Sequence, residues 1–326
     1  MVMNGRTSDQ AWRELLDQAL LNGDLQRARS VVFSWFQAYR ESLPLTPARS
    51  ELRRPALFAA LADVVERTHD DFLIEQVWQV LDSIVLPQCA DSVIPLIGVP
   101  VLNQVDRLAQ MINSIDQAVE TLAIVDNSGG DPSVGCFLER IVQDGVSGVR
   151  QVKVARNFGN AGVAASWNQL LTAFPEAPWA LIVNDDVQFP AGVLSRLRAV
   201  MDSSRPLFCP LLPEADAFSA FALTTKTWDR IGLFDDSFYP AYFEDLEYRD
   251  RLRADPQIQW IDDPAIQTPM AQANPSRSAT IGSDPELERF NRTSFAMNRL
   301  WYFSQRRLQN DRRGQWIRRW ISAWQP

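Results

Sequence analysis

The feature that most constrains the fold is an apolar run, VIPLIGVPVL, at residues 93–102. Uncharged runs of this length are typical of strands that are buried on both faces of a parallel sheet. Three further segments of strand length follow it, at 122–125, 149–154 and 179–183. Helical stretches alternate with the strands, at 105–115, 134–142 and 161–174. The alternation predicts right-handed βαβ units and an α/β fold with a mostly parallel sheet.

The first 90 residues have a different pattern, which is helical throughout. Apolar residues recur at helical spacing on both sides of Asn22-Gly23-Asp24, and this interruption predicts an αα-hairpin. Two more helices are expected, one after Pro55 and one from Leu73 to Ile84. We interpret the region as a small helical bundle, because two hairpins are too few to establish a helical repeat.

The charge of the chain is unevenly distributed. The net charge is −8, from 32 basic and 40 acidic residues. Residues 299–326 carry seven arginines and one acid, a balance of +6 that leaves −14 on the rest of the chain. Contacts with phosphates need a basic surface, so the acidic body excludes general nucleic-acid binding. The basic tail is the one place where an anionic partner could act.

The counts of reactive residues exclude several chemistries. Three widely spaced cysteines support neither a disulfide framework nor a zinc cluster. The single histidine, His69, lies in the helical region, which argues against Ser-His-Asp catalysis and histidine-rich metal sites. No apolar run reaches the roughly 20 residues of a membrane span, and the first residues lack the apolar core of a signal peptide. We therefore expect a cytoplasmic protein.

Short polar side chains and glycines follow each of the four predicted strands. These residues are Asn103, Asp126 to Gly130, Arg156 to Gly162, and Asn184 to Asp186. One such turn alone would be structural, but four in series lie where open α/β sheets bind ligands. No strand is followed by G-x-G-x-x-G or by a P-loop motif, which disfavours dinucleotide dehydrogenases and P-loop NTPases. Asp126 could accept hydrogen bonds from a base or ribose, and Asp185-Asp186 suit a hard divalent cation.

Together these motifs resemble the GT-A-fold glycosyltransferases of family 2, which are inverting nucleotide-sugar transferases. Five segments carry the resemblance in the family's order: IPLIGVPVLN, LAIVDNSGG, VARNFGNAGVAASWN, WALIVNDDV and WDRIGLFDDSFYPAYFEDLEYRDRLR. The last is the most specific, because it joins a G-x-F-D-[DE]-like turn to a Glu-Asp pair that opens a helix. The resemblance implies a GT-A domain (Rossmann-like, mostly parallel sheet) at 91–283. An all-helical accessory region at 1–90 and a helical C-terminal extension at 284–326 would flank it.

The resemblance also implies roles for individual residues. Asp245 falls at the catalytic base, and we interpret Glu244 beside it as an acceptor contact. Asp186 would be the main metal ligand, with Asn184, in a D-x-D-like element that binds Mn²⁺ or Mg²⁺. The positions that match nucleotide contacts are Pro100, Asn103, Asp126, Arg156, Asn160, Gly162 and Asp185. The implied reaction moves a sugar from a nucleotide-sugar donor to a glycan, lipid-linked or protein acceptor.

One position departs from the family. Members often carry a histidine after the catalytic helix, whereas residues 263–269 contain none and Gln267 would be a weak ligand. Either Asp186, the diphosphate and water hold the cation, or the enzyme works without tight metal binding, or catalysis has been lost. The main alternative is therefore a non-catalytic GT-A-like domain that binds sugar nucleotide or glycan, or acts as a scaffold. A sugar-nucleotide pyrophosphorylase would need a Gly-rich, basic first loop, which residues 100–103 do not provide.

The C-terminal extension has two parts. Aromatic and leucine residues from Phe290 to Phe303 predict a helix packed on the domain. Beyond it, tryptophans and isoleucines from Trp316 to Trp324 form an apolar stripe flanked by arginines. Such a segment can lie on an anionic membrane surface, or it can dock on the acidic body or on a partner subunit. We therefore expect peripheral membrane contact or oligomer contact through the tail.

Overall fold

The computed structural model describes residues 9–43, 54–76, 93–275 and 285–305. The chain divides into two compact units, Met1–Pro87 and Gln88–Pro326. No helix among the described residues is both long enough and apolar enough to cross a membrane.

The N-terminal unit is helical, as predicted. Its helices are α1 (Asp9–Leu21), α2 (Leu25–Ser42) and α3 (Pro55–Thr68), and residues 71–76 are also helical. The predicted αα-hairpin is confirmed, and the side chain of Asp24 caps α2 by accepting the N–H of Arg27. Trp35, Phe36 and Leu57 lie in a core that the three helices share. Of the helix predicted from Leu73 to Ile84, the part after residue 76 lies outside the described residues.

The second unit contains a seven-stranded sheet in the order β3-β2-β1-β4-β6-β5-β7. Its strands are β1 (Ile94–Val101), β2 (Val119–Asp126), β3 (Val149–Arg156), β4 (Trp179–Val183), β5 (Leu207–Pro210), β6 (Ala220–Thr224) and β7 (Gln259–Trp260). Only β6 runs against the others, because it pairs antiparallel with both β4 and β5. The predicted α/β class and mostly parallel sheet are confirmed. The reversed β6 and the short strands beside it were not predicted.

Helices connect and cover the strands. They are α4 (Val105–Asn113), α5 (Pro132–Asp144), α6 (Val163–Thr172), α7 (Val193–Val200), α8 (Thr225–Ile231), α9 (Glu244–Ala254), α10 (Pro264–Ala273) and α11 (Pro285–Gln305). A 3₁₀ turn at Glu214–Ser219 precedes β6. The helices α4 to α6 match the predicted stretches to within a few residues.

The central strand β1 is buried on both faces, as its continuous apolar sequence predicts. On one face, Ile97 and Val99 belong to a core that includes residues of α4, α5, α7 and α10. On the other face, Leu96 belongs to a core with Trp167 of α6 and Tyr248 of α9. The sheet is therefore covered on both faces, and we expect ligands to bind beyond the carboxyl ends of its strands.

Gly98 lies in the middle of β1, where α6 packs closely on the sheet. A Cβ atom at this position would lie 2.8 Å from Cδ1 of Ile182 and 3.2 Å from Cβ of Leu170. We therefore expect Gly98→Ala to lower the free energy of unfolding by about 1–3 kcal/mol, measured by urea denaturation. Gly135→Ala is the control, because a Cβ there meets nothing within 4 Å inside α5. The control should raise the free energy of unfolding by about 0.5–1 kcal/mol. A stabilised Gly98→Ala chain would contradict the close packing of α6.

Candidate active site

The ends of the parallel strands bring several predicted site residues to one edge. Val101, Asp126 and Arg156 are partners in register across β1, β2 and β3. Two backbone hydrogen bonds extend this alignment past the strands, from Asn127 to Val101 (2.8 Å) and from Asn157 to Asp126 (2.9 Å). Because β4 pairs parallel with β1, the turn that begins at Asn184 leaves the sheet at the same edge.

Asn127 connects two of these strand ends, although sequence reasoning gave it no role. It is buried, and its amide nitrogen donates to the hydroxyl of Ser166 at 2.8 Å. Its side-chain oxygen accepts the amide of Asn157 at 2.8 Å and the backbone N–H of Ala161 at 3.3 Å. These three side-chain partners lie on the loop after β3 or on α6. The only local signal is its place directly after Asp126, since its partners are distant in sequence.

Gly162 joins the loop after β3 to the segment that precedes α9. Its φ of +88° is a left-handed conformation, and a Cβ atom would lie 3.0 Å from the carbonyl oxygen of Pro240. The next residue, Val163, donates its N–H to that same carbonyl at 2.7 Å. Asn160 supports the contact twice, because its side chain accepts the N–H of Gly162 (2.9 Å) and its carbonyl accepts the hydroxyl of Tyr239 (2.9 Å). Only glycine satisfies both the backbone conformation and the spacing at 162.

Glu244 and Asp245 form the first turn of α9. Two non-glycine residues in the left-handed region precede them, Tyr242 at φ +80° and Phe243 at φ +75°. Such conformations cost of order 1–3 kcal/mol each and concentrate at functional sites. The side chain of Asp245 accepts the N–H of Leu246 at 2.8 Å. The turn therefore fixes the backbone positions from which the side chains of Glu244 and Asp245 extend.

The pKa values of both carboxyl groups are raised. Burial raises the pKa of Asp245, while the N–H of Leu246 and the charge of Arg249 oppose the change. Burial raises the pKa of Glu244 further, and the neighbouring charge of Asp245 adds to the increase. Within the described part of the chain, Oε2 of Glu244 is buried without a hydrogen-bond partner. A raised pKa makes a carboxylate a stronger base than the same group in water, which suits a general base.

The residues predicted to contact the nucleotide lie along the aligned strand ends. Oδ1 of the buried Asp126 accepts the N–H of Ser128 at 2.9 Å. Asn103 is exposed just beyond β1. Arg156 forms an ion pair with Glu139 at 2.9 Å, in which both side chains are at least half exposed. Exposed pairs of this kind contribute little to stability, so Arg156 could exchange Glu139 for a phosphate.

The candidate cation ligands form a small set. Asp185 is buried and Asp186 is half-buried, and the backbone N–H of Asn184 donates to Ser219 at 2.9 Å. Among the described residues there is no cluster of three or more side chains that could ligate a metal. The amide nitrogen of Gln267 donates to Asp262 (3.2 Å) and to the carbonyl of Pro210 (3.4 Å). Mg²⁺ often binds through one or two carboxylates plus substrate phosphates, and the paired aspartates fit that mode.

Other nearby side chains fix the structure. Asp235 is buried and accepts the N–H of Ser237 at 3.0 Å, which holds its loop. Glu247 forms an i,i+4 ion pair with Arg251 along α9 at 2.7 Å.

Phe158 was not singled out from the sequence, yet its ring is fully exposed on the loop after β3. An exposed aromatic ring beside the aligned strand ends is available to stack on a flat ligand group.

Comparisons with known proteins give limited information. No protein-family model and no curated protein matches the chain. A crystal structure of S. aureus TarS is 16% identical, with a TM-score of 0.40 over 52% of this chain and 35% of that one. A crystal structure of GalNAc-T7 with UDP, GalNAc and Mn²⁺ is 10% identical, with a TM-score of 0.41 over 51% and 42% of the two chains. The inositol-1-phosphate CTP transferase of T. maritima is 14% identical, with a TM-score of 0.32 over 59% of this chain and 100% of that one.

The chain therefore spans less than half the length of the first two solved structures. Likenesses at these identities and TM-scores establish neither a family nor an activity.

The buried carboxyl group of Glu244 predicts a pH-dependent stability. Because its pKa is raised in the folded chain, folding favours the protonated form, and stability is lost as the pH rises through that pKa. Glutamine stays neutral, so the melting temperature of Glu244→Gln minus that of the wild type should increase from about pH 5 to about pH 8. The readout is the slope of this difference in melting temperature against pH, because a packing difference that is the same at every pH does not change the slope. Asp236→Asn, at an exposed carboxyl of the preceding loop, should give a flat difference. A flat difference for Glu244→Gln would show that this carboxyl ionises without cost.

Proposed function

We propose that the chain is an inverting GT-A-type glycosyltransferase of the family 2 kind, which moves a sugar from a nucleotide-sugar donor to an acceptor hydroxyl. The observation that carries the proposal is the position of Asp245. It is a carboxyl group with a raised pKa on a strained turn, and Pro240 of the same segment contacts Gly162 of the loop after β3. Residues 91–283 would carry the reaction, and the regions at 1–90 and 284–326 would be accessory.

Asp245 is the general base of the proposed reaction. Its carboxylate takes the proton of the acceptor hydroxyl as that oxygen attacks the anomeric carbon. The new carbon–oxygen bond forms on the face opposite the departing diphosphate, which leaves with the electron pair of the broken bond. Attack from the opposite face inverts the anomeric configuration. Glu244, directly beside the base in the first turn of α9, would contact the acceptor.

The nucleotide would lie across the aligned ends of β1, β2 and β3. Asp126 would accept hydrogen bonds from the base or ribose, and Pro100 and Asn103 would line the same side. Asn160 and Gly162 belong to the loop that would lie over the nucleotide, and Arg156 would meet a phosphate. The rigid hydrogen bonds of Asn127 support this arrangement, because they keep the loops after β2 and β3 in a fixed relation.

Asn184, Asp185 and Asp186 would hold a divalent cation together with the diphosphate. A bound Mn²⁺ or Mg²⁺ neutralises charge that develops on the leaving phosphate oxygens. The acidic composition supports this proposal, because a balance of −14 outside the tail disfavours a diphosphate unless a cation or an arginine lies beside it. The two aspartates and the diphosphate would each supply some of the oxygen ligands of the cation. The cation and the donor would therefore bind together.

The acceptor would be a glycan, a lipid-linked sugar or a protein. Exposed residues of α11 bear on this choice, because Leu300 and Phe303 are exposed, together with Arg292 and Arg299. The sequence had predicted that the aromatic and leucine residues from Phe290 to Phe303 pack on the domain. Among those whose side chains the structure describes, Trp301 is buried, Leu300 and Phe303 are exposed, and Phe295 is 43% exposed although its ring contacts Phe243. The apolar stripe from Trp316 to Trp324, on which the predicted membrane or subunit contact depends, lies outside the described residues. The exposed aromatic and arginine residues of α11 support the same proposal.

Replacing Asp245 with Asn tests the assignment of the base. The amide keeps the shape of the side chain but cannot take a proton, so transfer should fall by about 10²–10⁴-fold. Binding of the donor, measured by calorimetry, should remain. Asp144→Asn, at an exposed carboxyl at the end of α5, is the control that should keep its activity. Transfer at wild-type rate by Asp245→Asn would refute the role, and donor binding without any transfer in the wild type would favour a non-catalytic domain.

The cation is tested by ligand-dependent melting. The described ligands do not form a protein-only site, so Mn²⁺ alone should leave the melting temperature nearly unchanged. Mn²⁺ with a nucleoside diphosphate should raise it, because a ligand that binds the folded state stabilises it by mass action. Asp186→Asn should remove most of the added stabilisation, and chelator should stop transfer. Undiminished transfer in chelator would contradict the role of the cation.

A further inference from the structure

The inner face of α11 contacts the turn that leads to Asp245. Asn298 lies on this face and is fully buried. Its amide nitrogen donates to three backbone carbonyl oxygens, at 2.8 Å to Ala241, 3.2 Å to Tyr242 and 3.3 Å to Tyr239. The nitrogen carries two hydrogens, which the three oxygens share. The turn before α9 is therefore gathered around one side chain from a helix more than fifty residues later in the sequence.

The three hydrogen bonds from Asn298 explain how the strained turn persists. Tyr242 and Phe243 hold left-handed conformations that are unfavourable for non-glycine residues. Three carbonyl oxygens that point to one place also repel each other unless a donor lies between them. A buried donor at position 298 removes both difficulties, because it binds the oxygens only when the turn is formed.

Aromatic rings on the same face of α11 hold the turn from the side. The ring of Phe243 packs against Phe295 and Tyr302, with centroids 5.1 Å and 5.6 Å away. The indole N–H of Trp301 donates to the buried Asp235 at 3.4 Å, on the loop before the turn. Apolar contacts tolerate small shifts of the backbone, whereas the hydrogen bonds of Asn298 fix the carbonyl directions. Asn298 is therefore the side chain that sets the geometry.

We propose that Asn298 is a positioning residue for Asp245, which it serves by fixing the left-handed turn from which the first turn of α9 begins. The inference rests on the proposed function and deepens it, because it gives α11, in the region otherwise proposed as accessory, a role in positioning the base. Asn298 does not contact the reacting atoms. It acts through the backbone at residues 241 and 242, whose direction determines where the carboxylate of Asp245 points.

Asn298→Asp is the sharpest test, because it keeps the size of the side chain and changes only its donors. An ionised aspartate donates nothing and faces three carbonyl oxygens, whereas a protonated one can still donate one hydrogen bond. At about pH 8 we expect kcat to fall by about 10²-fold, since small misplacement of a catalytic group has effects of this size. KM and the Kd for the donor should change little. The loss relative to wild type should shrink as the pH is lowered, because protonation restores a donor.

The control separates this effect from a general loss of stability. Ile112→Val removes one methylene from the core on the opposite face of the sheet and does not touch the turn. It should lower the melting temperature while leaving kcat and its pH profile unchanged. If Asn298→Asp behaves like this control, Asn298 has only a structural role and the inference is wrong.

A second measurement does not depend on turnover. Hydrogen exchange of a peptide that covers residues 239–247 should be faster in Asn298→Asp than in the wild type at about pH 8, and less so at about pH 5, because exchange reports local opening. Unchanged protection would overturn the inference even in a chain with no transferase activity. If exchange is faster in Asn298→Asp but the wild type shows no transfer, the role of Asn298 in holding the turn is supported and the proposed function is refuted. An inactive Asp245→Asn beside a fully active Asn298→Asp would refute only the inference.

Discussion

The close approach of Gly162 to Pro240 is the contact on which the arrangement of the site depends. It joins the loop after β3 to the segment before α9, backbone to backbone, through the 2.7 Å hydrogen bond from Val163. A side chain at 162 would separate these two segments, because its Cβ would lie 3.0 Å from the carbonyl oxygen of Pro240. A displacement of one segment would therefore disturb the other. Under the proposed reaction, this contact couples the nucleotide loop to the catalytic carboxylate.

Much of the sheet was predictable because its signal is local. The strands β1 to β4 alternate with helices, and the continuous apolar sequence of β1 follows from burial on both faces. The strands β5 and β7 have four and two residues, too few for a period to be visible. The direction of β6 depends on its pairing with β4, and no feature within its five residues specifies that partner.

The site was predictable only in part, for a related physical reason. Asp245 was identified by resemblance to a family, through the motif that surrounds it. Asn127 and Asn298 were missed, because an asparagine has no distinctive pattern and their partners lie far away in sequence. The hydrogen bond from Asn127 to Ser166 spans 39 residues, and that from Asn298 to Ala241 spans 57. Sequence patterns show which residues carry chemistry more readily than which residues hold them in place.

The two pairs of adjacent carboxyl groups have environments that suit different tasks. Asp185 and Asp186 follow a strand at the edge of the sheet, and the half-buried Asp186 is accessible to a hydrated cation. Glu244 and Asp245 begin a helix, and desolvation raises both of their pKa values. A cation near the second pair would lower those pKa values and weaken the base. The proposed chemistry therefore requires the two pairs to stay apart, and the turn held by Asn298 is the element that fixes one of them.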